Sequence, residues 1–257
     1  MLLCIDIGNT DITYGVFKGD DVILTFRTKS KTSHTSDEYG VQIIGILREN
    51  GIEKTQIKGV AISSVVPNIM YSFVNGIIKY FKLDPLVIQP GVKTGIAIKT
   101  ENPKEVGADR IVDAVGAYYR YGGPLIVIDF GTATTFDVVD EEGSFIAAVT
   151  TPGIKITLQA LISGAAKLPE IEIQKPASIL AKNTVTSMQA GLVYGYIGQV
   201  EYIVGEIKRE LNLPDMKVIA TGGLSSVIKP HTKVIDHFDR DLTLRGLKMI
   251  YDRNQKA

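Results

Sequence analysis

Cysteine occurs once in this chain, at Cys4, so an internal disulfide framework is excluded. Cys4 lies in an apolar run, where a buried, inert thiol is expected. Neither sign of charge is in excess: Lys plus Arg and Asp plus Glu number 28 each, and the pI is near neutral. No basic field therefore favours nucleic acid or an acidic membrane. No apolar run reaches the roughly 18 residues of a transmembrane helix. The chain meets Asp6 and Gly8 too early for a signal-peptide core, so a cytoplasmic protein is expected. His34, His231 and His237 lack metal-ligand spacing and read as surface residues. Also missing are the GxxxxGK[ST] phosphate loop, GxGxxG and HExxH.

What is present is an internal echo. Leu125–Thr135 reads LIVIDFGTATT and Leu2–Thr10 reads LLCIDIGNT. Asp6 and Asp129 lie 123 residues apart, as do Gly8 and Gly131, nearly half of the 257-residue length. A strand–Asp–x–Gly–turn unit heads each half, which predicts a duplicated α/β fold with a cleft between the halves. The halves are expected at residues 1–120 and 121–257. At 45% apolar and 22% charged residues, each can form an ordinary globular core.

Taken in order, Leu2–Ile5, Asp11–Phe17 and Val22–Arg27 predict an antiparallel start. Thr28–Ser36 is expected to be a loop. Asp37–Asn50 predicts a helix through Val41, Ile44, Ile46 and Leu47, and Asn68–Phe81 a second. Gly59–Val65 and Leu86–Gln89 are strand candidates. Asn102 is expected to cap a helix with Pro103 in its first position and Glu105 as capping-box acid. Gly107, Asp109 and Arg110 then fall in its first two turns. The second half repeats the plan with strands at Leu125–Asp129, Thr134–Val139 and Ser144–Val149, then a break at Thr151-Pro152-Gly153. Ile154–Leu161 is expected to be helical, Ala166–Asn183 irregular and Thr186–Leu211 a long amphipathic helix. Gly191, Gly195 and Gly198 would weaken that helix, so close backbone packing is expected at them. A strand at Lys217–Ala220, the turn Thr221-Gly222-Gly223 and a last helix at Asp241–Tyr251 complete the chain.

The Asp-x-Gly turns can present backbone N–H groups to phosphate, with Asn9, Thr10 and Thr132 adding side-chain donors. Asp6 and Asp129, at strand ends, can hold a cation bridging phosphates. A plain hairpin would use the same residue types, but two copies at matched offsets favour the phosphate reading. Gly107-Ala108-Asp109-Arg110 could fork Arg110 onto an anion and let Asp109 take a hydroxyl proton. Taken alone, however, the segment reads better as a solvated face with Arg110 paired to Asp113.

Jointly, DIGNT at Asp6–Thr10, NPKEVGADR at Asn102–Arg110 and DFGTATTFD at Asp129–Asp137 resemble the type III pantothenate kinases. TPGI at Thr151–Ile154, KNT at Lys182–Thr184 and TGG at Thr221–Gly223 add to the likeness, which covers essentially the whole chain. That family belongs to the acetate and sugar kinase/Hsp70/actin superfamily. The resemblance implies a duplicated ribonuclease H-like (actin-like ATPase) fold of two mixed β-sheet halves with flanking helices. It implies ATP-dependent phosphorylation of pantothenate to 4′-phosphopantothenate, the first step of coenzyme A biosynthesis. It assigns ATP binding to Asp6, Ile7, Gly8, Asn9, Thr10, Asp11, Ile12 and Thr13, with Thr132 from the second half. Gly107, Ala108, Asp109, Arg110, Thr184 and Thr100 would contact pantothenate, with Asp109 as general base. Asp129 would hold a monovalent cation, potassium or ammonium, and Mg²⁺ would accompany ATP. A homodimer is implied, with no nucleic-acid or membrane partner. Two positions depart from the family: Thr100 stands where Tyr is frequent, and Asp11 where an uncharged residue is common. Rival readings are a sugar or acetate kinase or polyphosphate hydrolase of the same fold, and a catalytically silent regulator.

Overall fold

The structure, a computed structural model, describes residues 1–30, 34–223 and 228–255. Residues 31–33, within the expected 28–36 loop, lie outside the described residues. The chain forms two compact units.

The first unit comprises Met1–Ile96, Glu101–Gly116 and the segment from Leu242 onward. Its sheet has the order β3-β2-β1-β4-β5, formed by β1 (Leu2–Ile7), β2 (Asp11–Lys18), β3 (Asp21–Lys29), β4 (Gly59–Ser64) and β5 (Leu86–Val87). The first three strands are antiparallel neighbours, while β4 runs parallel to β1 and β5 parallel to β4. Alternation sends Leu3, Ile5 and Ile7 with Val60 and Ile62 to one face. There they meet α1 (Ser36–Glu49) and α2 (Pro67–Phe81). A capping box starts α1: Thr35 Oγ1 accepts from the Glu38 N–H, and Glu38 Oε2 accepts from the Thr35 N–H. The buried stripe of α1 is Tyr39, Ile43 and Leu47, whereas Val41, expected in the core, is exposed. The opposite face carries Leu2, Cys4 and Ala61. It packs on Val112 and Val115 of α3 (Ala108–Tyr121) and on Leu244, Leu247 and Ile250 of α6 (Leu242–Gln255). The last helix of the chain thus completes the first sheet.

The second unit, Ala97–Thr100 and Ala117–Asp241, repeats the strand plan. Its strands are β6 (Leu125–Phe130), β7 (Ala133–Val139), β8 (Phe145–Pro152), β9 (Lys217–Thr221) and β10 (His237–Phe238), in the order β10-β9-β6-β7-β8. Read from the other edge, this is the order of the first sheet, with parallel partners again for the first strand of the unit. Ile126, Ile128 and Phe130 face α4 (Ile154–Ser163) and α5 (Thr184–Glu210), where Leu158, Val193, Ile197 and Val200 cover them. Two expectations change. β8 runs on through Thr151 and Pro152 at the sheet edge, where Pro removes no needed donor. Close packing within the described residues does not explain the glycines of α5, since a Cβ at Gly191, Gly195 or Gly198 meets none of them within 4 Å.

Candidate active site

In the first unit the chain turns through residues 8–11, beyond the last register pair Ile7↔Ile12. The Gly8 N–H donates to the Asp11 carbonyl at 3.1 Å, so this amide closes the hairpin and does not face a ligand. Ile7 and Ile12 are fully buried in the core and anchor the turn, so only their backbone can serve a nucleotide. Asn9 is exposed and Thr10 half-buried at the tip. Asp11 Oδ1 accepts from Lys29 Nζ at 3.0 Å across the β2–β3 pair. The extra negative charge beside the turn is thus met by a cation that no sequence motif singled out.

The segment carrying Asp109 differs from its expectation. Asn102 makes no cap; its Nδ2 donates to Glu105 Oε1 beside a 3₁₀ turn at Pro103–Glu105. Val106 is extended, and the α-helix begins only at Ala108, with the Ile111 N–H donating to the Gly107 carbonyl. Asp109 therefore stands in the first turn, at the positive end of the helix. Its Oδ1 accepts from the Arg110 N–H at 2.8 Å. Burial pushes the Asp109 carboxyl above the usual carboxylate range, partly offset by that amide and by the Arg110 guanidinium. Gly107 packs closely on this carboxylate: a Cβ there would lie 2.5 Å from Asp109 Oδ1 and would push that oxygen aside. The face is not a solvated one: residues 107–110 are half-buried and Asp113 is only 4% exposed.

In the second unit the equivalent turn, through residues 131–133 beyond the pair Phe130↔Thr134, is one residue shorter. The Gly131 N–H donates to the Ala133 carbonyl at 3.1 Å. Two glycines bracket the Asp129 carboxylate: a Cβ at Gly131 would lie 3.0 Å from Oδ2, and one at Gly222 2.5 Å from Oδ1. Gly222 has φ +92°, a conformation that favours glycine, which accounts for the Thr221-Gly222-Gly223 turn. A third glycine, Gly153 of the TPGI segment, lies against the Gly131 and Thr132 carbonyls and donates its N–H to Thr132 O at 3.1 Å. The Asp129 carboxylate is a hard oxygen donor of the kind that suits a hard cation. Among the described residues no cluster of three His, Cys, Asp or Glu could hold a metal.

Thr134 Oγ1 shares a buried hydrogen bond with Tyr196 Oη of α5. Burial, and to a lesser degree the charge of Asp129, push the Tyr196 hydroxyl up. Tyr196 thereby ties α5 to the strand after the turn, a role that its apolar helical spacing concealed. Thr100 belongs to this unit, and its Oγ1 is buried without a hydrogen-bond partner among the described residues. Thr184 is exposed at the first position of α5, which Asn183 caps by accepting from the Thr186 N–H at 2.9 Å. Beside this helix start, Leu180, Ala190, Gly191, Tyr194 and Gly195 line a groove of about 640 Å³.

Residues 2–206 match the family model of type III pantothenate kinases. A type III pantothenate kinase of Agathobacter rectalis is 54% identical over 256 residues, covering all of this chain and 98% of the relative. Among solved structures, a candidate 2-dehydro-3-deoxygalactonokinase of Sinorhizobium meliloti aligns with a TM-score of 0.63 at 11% identity, covering 98% of this chain and 96% of that one. A candidate Baf-family transcriptional activator of Campylobacter jejuni aligns with a TM-score of 0.60 at 16% identity, covering 99% and 100%. These two likenesses bear on the fold alone, the duplicated α/β fold of actin-like ATPases and sugar kinases.

Proposed function

The chain belongs to the type III pantothenate kinase family, and from that premise we propose how its residues transfer the γ-phosphoryl group of ATP to the primary hydroxyl of pantothenate. The observation that carries the reading is Asp109, a half-buried carboxylate fixed at a helix start with its proton affinity raised by burial. A general base works best when its pKa approaches the working pH. The Arg110 amide holds Oδ1, which leaves the other carboxylate oxygen to orient the hydroxyl and accept its proton late in transfer. Gly107 and Ala108 let the acceptor approach the backbone, and Arg110 supplies a cationic contact. Thr100 offers a buried hydroxyl with no hydrogen-bond partner among the described residues, and Thr184 an exposed one, as further contacts.

Asp6–Thr13 forms the first phosphate turn in this reading, and Thr132 the ATP contact of the second unit. ATP is used with a divalent metal, for which Asp6 offers hard oxygen donors. Asp129, bracketed by Gly131 and Gly222, would hold the monovalent cation. Bound there, it supplies positive charge that offsets the charge of the transferring phosphoryl group.

We further propose a cytoplasmic homodimer. Support comes from α5, where among the described residues nothing lies within 4 Å of a Cβ at Gly191, Gly195, Gly198 or Gly205, and Tyr202 is exposed on the same face. The test of function is a coupled assay for pantothenate-dependent ATP consumption, with and without potassium. ATP turnover that ignores pantothenate, or that prefers a sugar in a substrate panel, would overturn the reading.

A further inference from the structure

Each sheet sets a hydroxyl beside the carboxylate that heads its turn. Asp6 on β1 pairs in register with Ser63 on the parallel strand β4. Asp129 on β6 pairs in the same way with Thr221 on the parallel strand β9. Both hydroxyl residues are buried, Ser63 at 0% exposure and Thr221 at 2%. The duplication has thus kept one arrangement twice, although the segments around Ser63 and Thr221 share no motif.

Ser63 and Asp6 share a face of the first sheet. Two residues earlier on each strand, the paired Cys4 and Ala61 belong to the cluster under α3 and α6. The intervening pair, Ile5 and Ile62, belongs to the opposite cluster. Adjacent strands lie about 4.8 Å apart, so paired side chains on one face that do not touch directly can be joined through one water. The Ser63 Oγ is buried and has no hydrogen-bond partner among the described residues. Leaving a buried hydroxyl in that condition costs stability, and native structures keep such groups where they serve a site. Its neighbour Ser64 is different: its Oγ accepts from the Val66 N–H at 3.1 Å and shapes the entry to α2. Just beyond, Val65 lies against Gly107, so this strand end adjoins the segment that launches the Asp109 helix.

We propose that Ser63 is a positioning residue whose hydroxyl reaches the Asp6 carboxylate through one bridging water and holds it toward the nucleotide phosphates. This rests on the reading of Asp6 as part of the phosphate turn. Thr221 would serve Asp129 in the same manner.

Ser63→Ala removes the hydroxyl and almost no volume, so the variant is expected to fold with an unchanged or higher Tm. Its affinity for Mg·ADP, read by isothermal titration, is expected to fall about tenfold, the scale of one hydrogen bond to a charged group. Ser63→Cys, a near-isosteric weak donor, should fall between the two. The KM for pantothenate should stay within twofold of wild type while kcat/KM for ATP follows the nucleotide affinity. In an Asp6→Asn background, Ser63→Ala should have no further effect on Mg·ADP affinity, because its effect runs through Asp6. The proposal is overturned by affinity unchanged within twofold, by losses of affinity and Tm that move together, or by an undiminished effect in Asp6→Asn. Wild-type protein that binds Mg·ADP but leaves pantothenate untouched would sink the kinase reading, while the nucleotide titrations would still decide the role of Ser63.

Discussion

At Asp109 the demands of folding and of chemistry run in opposite directions. Burial raises its carboxyl, so the folded protein holds that proton more tightly than the unfolded chain does. The stabilising contribution is complete below the unfolded carboxylate pKa and is lost as pH rises through the folded value. The Arg110 amide and the helix start favour the ionised group and oppose that effect of burial. Asp109→Asn is therefore expected to keep or raise Tm in a thermal melt at pH 7 while kcat falls about 10²-fold or more. The same shift predicts that kcat/KM for pantothenate declines on the acid side at a higher pH than an ordinary carboxylate would give. A pH profile of the wild type, flattened in the residual activity of Asp109→Asn, checks this. At the first turn, Lys29 faces Asp11 in an exposed pair worth at most about 1 kcal/mol. Lys29→Ala should raise the KM for ATP by no more than about fivefold, and Asp11→Asn should not raise it. The DIGNT and GADR positions were legible in sequence, but Lys29, Ser63 and Tyr196 were not. Each acts through a partner distant in the chain, and only strand register or helix packing supplies that partner.

Among the elements, the strands were the easiest to read. Leu2–Ile7 and Leu125–Phe130 are short, wholly apolar runs up to an Asp, as a central strand covered on both faces must be. The start of α3 was not legible. Asn102, Pro103 and Glu105 have the chemistry of a helix start, yet they make a 3₁₀ turn, and the helix waits for Ala108. Moving the start by several residues brings Asp109 from within the helix to its first turn, where its carboxylate can engage the Arg110 amide. The TGG turn was recognisable, but its reason was not: Gly222 lies against Asp129 with φ +92°. Gly222→Ala is expected to cost about 1–3 kcal/mol through backbone strain and contact with Asp129 Oδ1. It should also blunt stimulation by potassium. Unaltered potassium titration curves together with a wild-type melt would refute that view of the Asp129 cradle.

On the scale of the whole molecule, the duplication governs the plan. Both sheets have the same strand order about their first strand, with the Asp-x-Gly turn at the same end of each. The two copies have nonetheless diverged: the first hairpin is one residue longer, and only the second carboxylate is bracketed by two glycines. For assembly, the glycine face of α5 sets the prediction. Among the described residues no atom lies within 4 Å of a notional Cβ at Gly195, and the position is exposed, so Gly195→Arg can point its side chain into solvent. The variant is expected to keep a folded monomer and lose the dimer, as measured by light scattering behind gel filtration. A wild-type monomer, or a variant that remains dimeric, would remove this face from the interface.

The sequence by itself determined the repeat, the central strands, the two turns and the family, because short-range patterning and joint motifs carry those. Tertiary structure alone decided that the last helix completes the first sheet, since an amphipathic face does not name its partner. It also decided where the helix bearing Asp109 begins, because competing local starts are separated only by packing against the end of β4, where Val65 meets Gly107. And it set Ser63 beside Asp6 and Thr221 beside Asp129, because strand register is a long-range agreement between two faces and no single stretch of chain contains it.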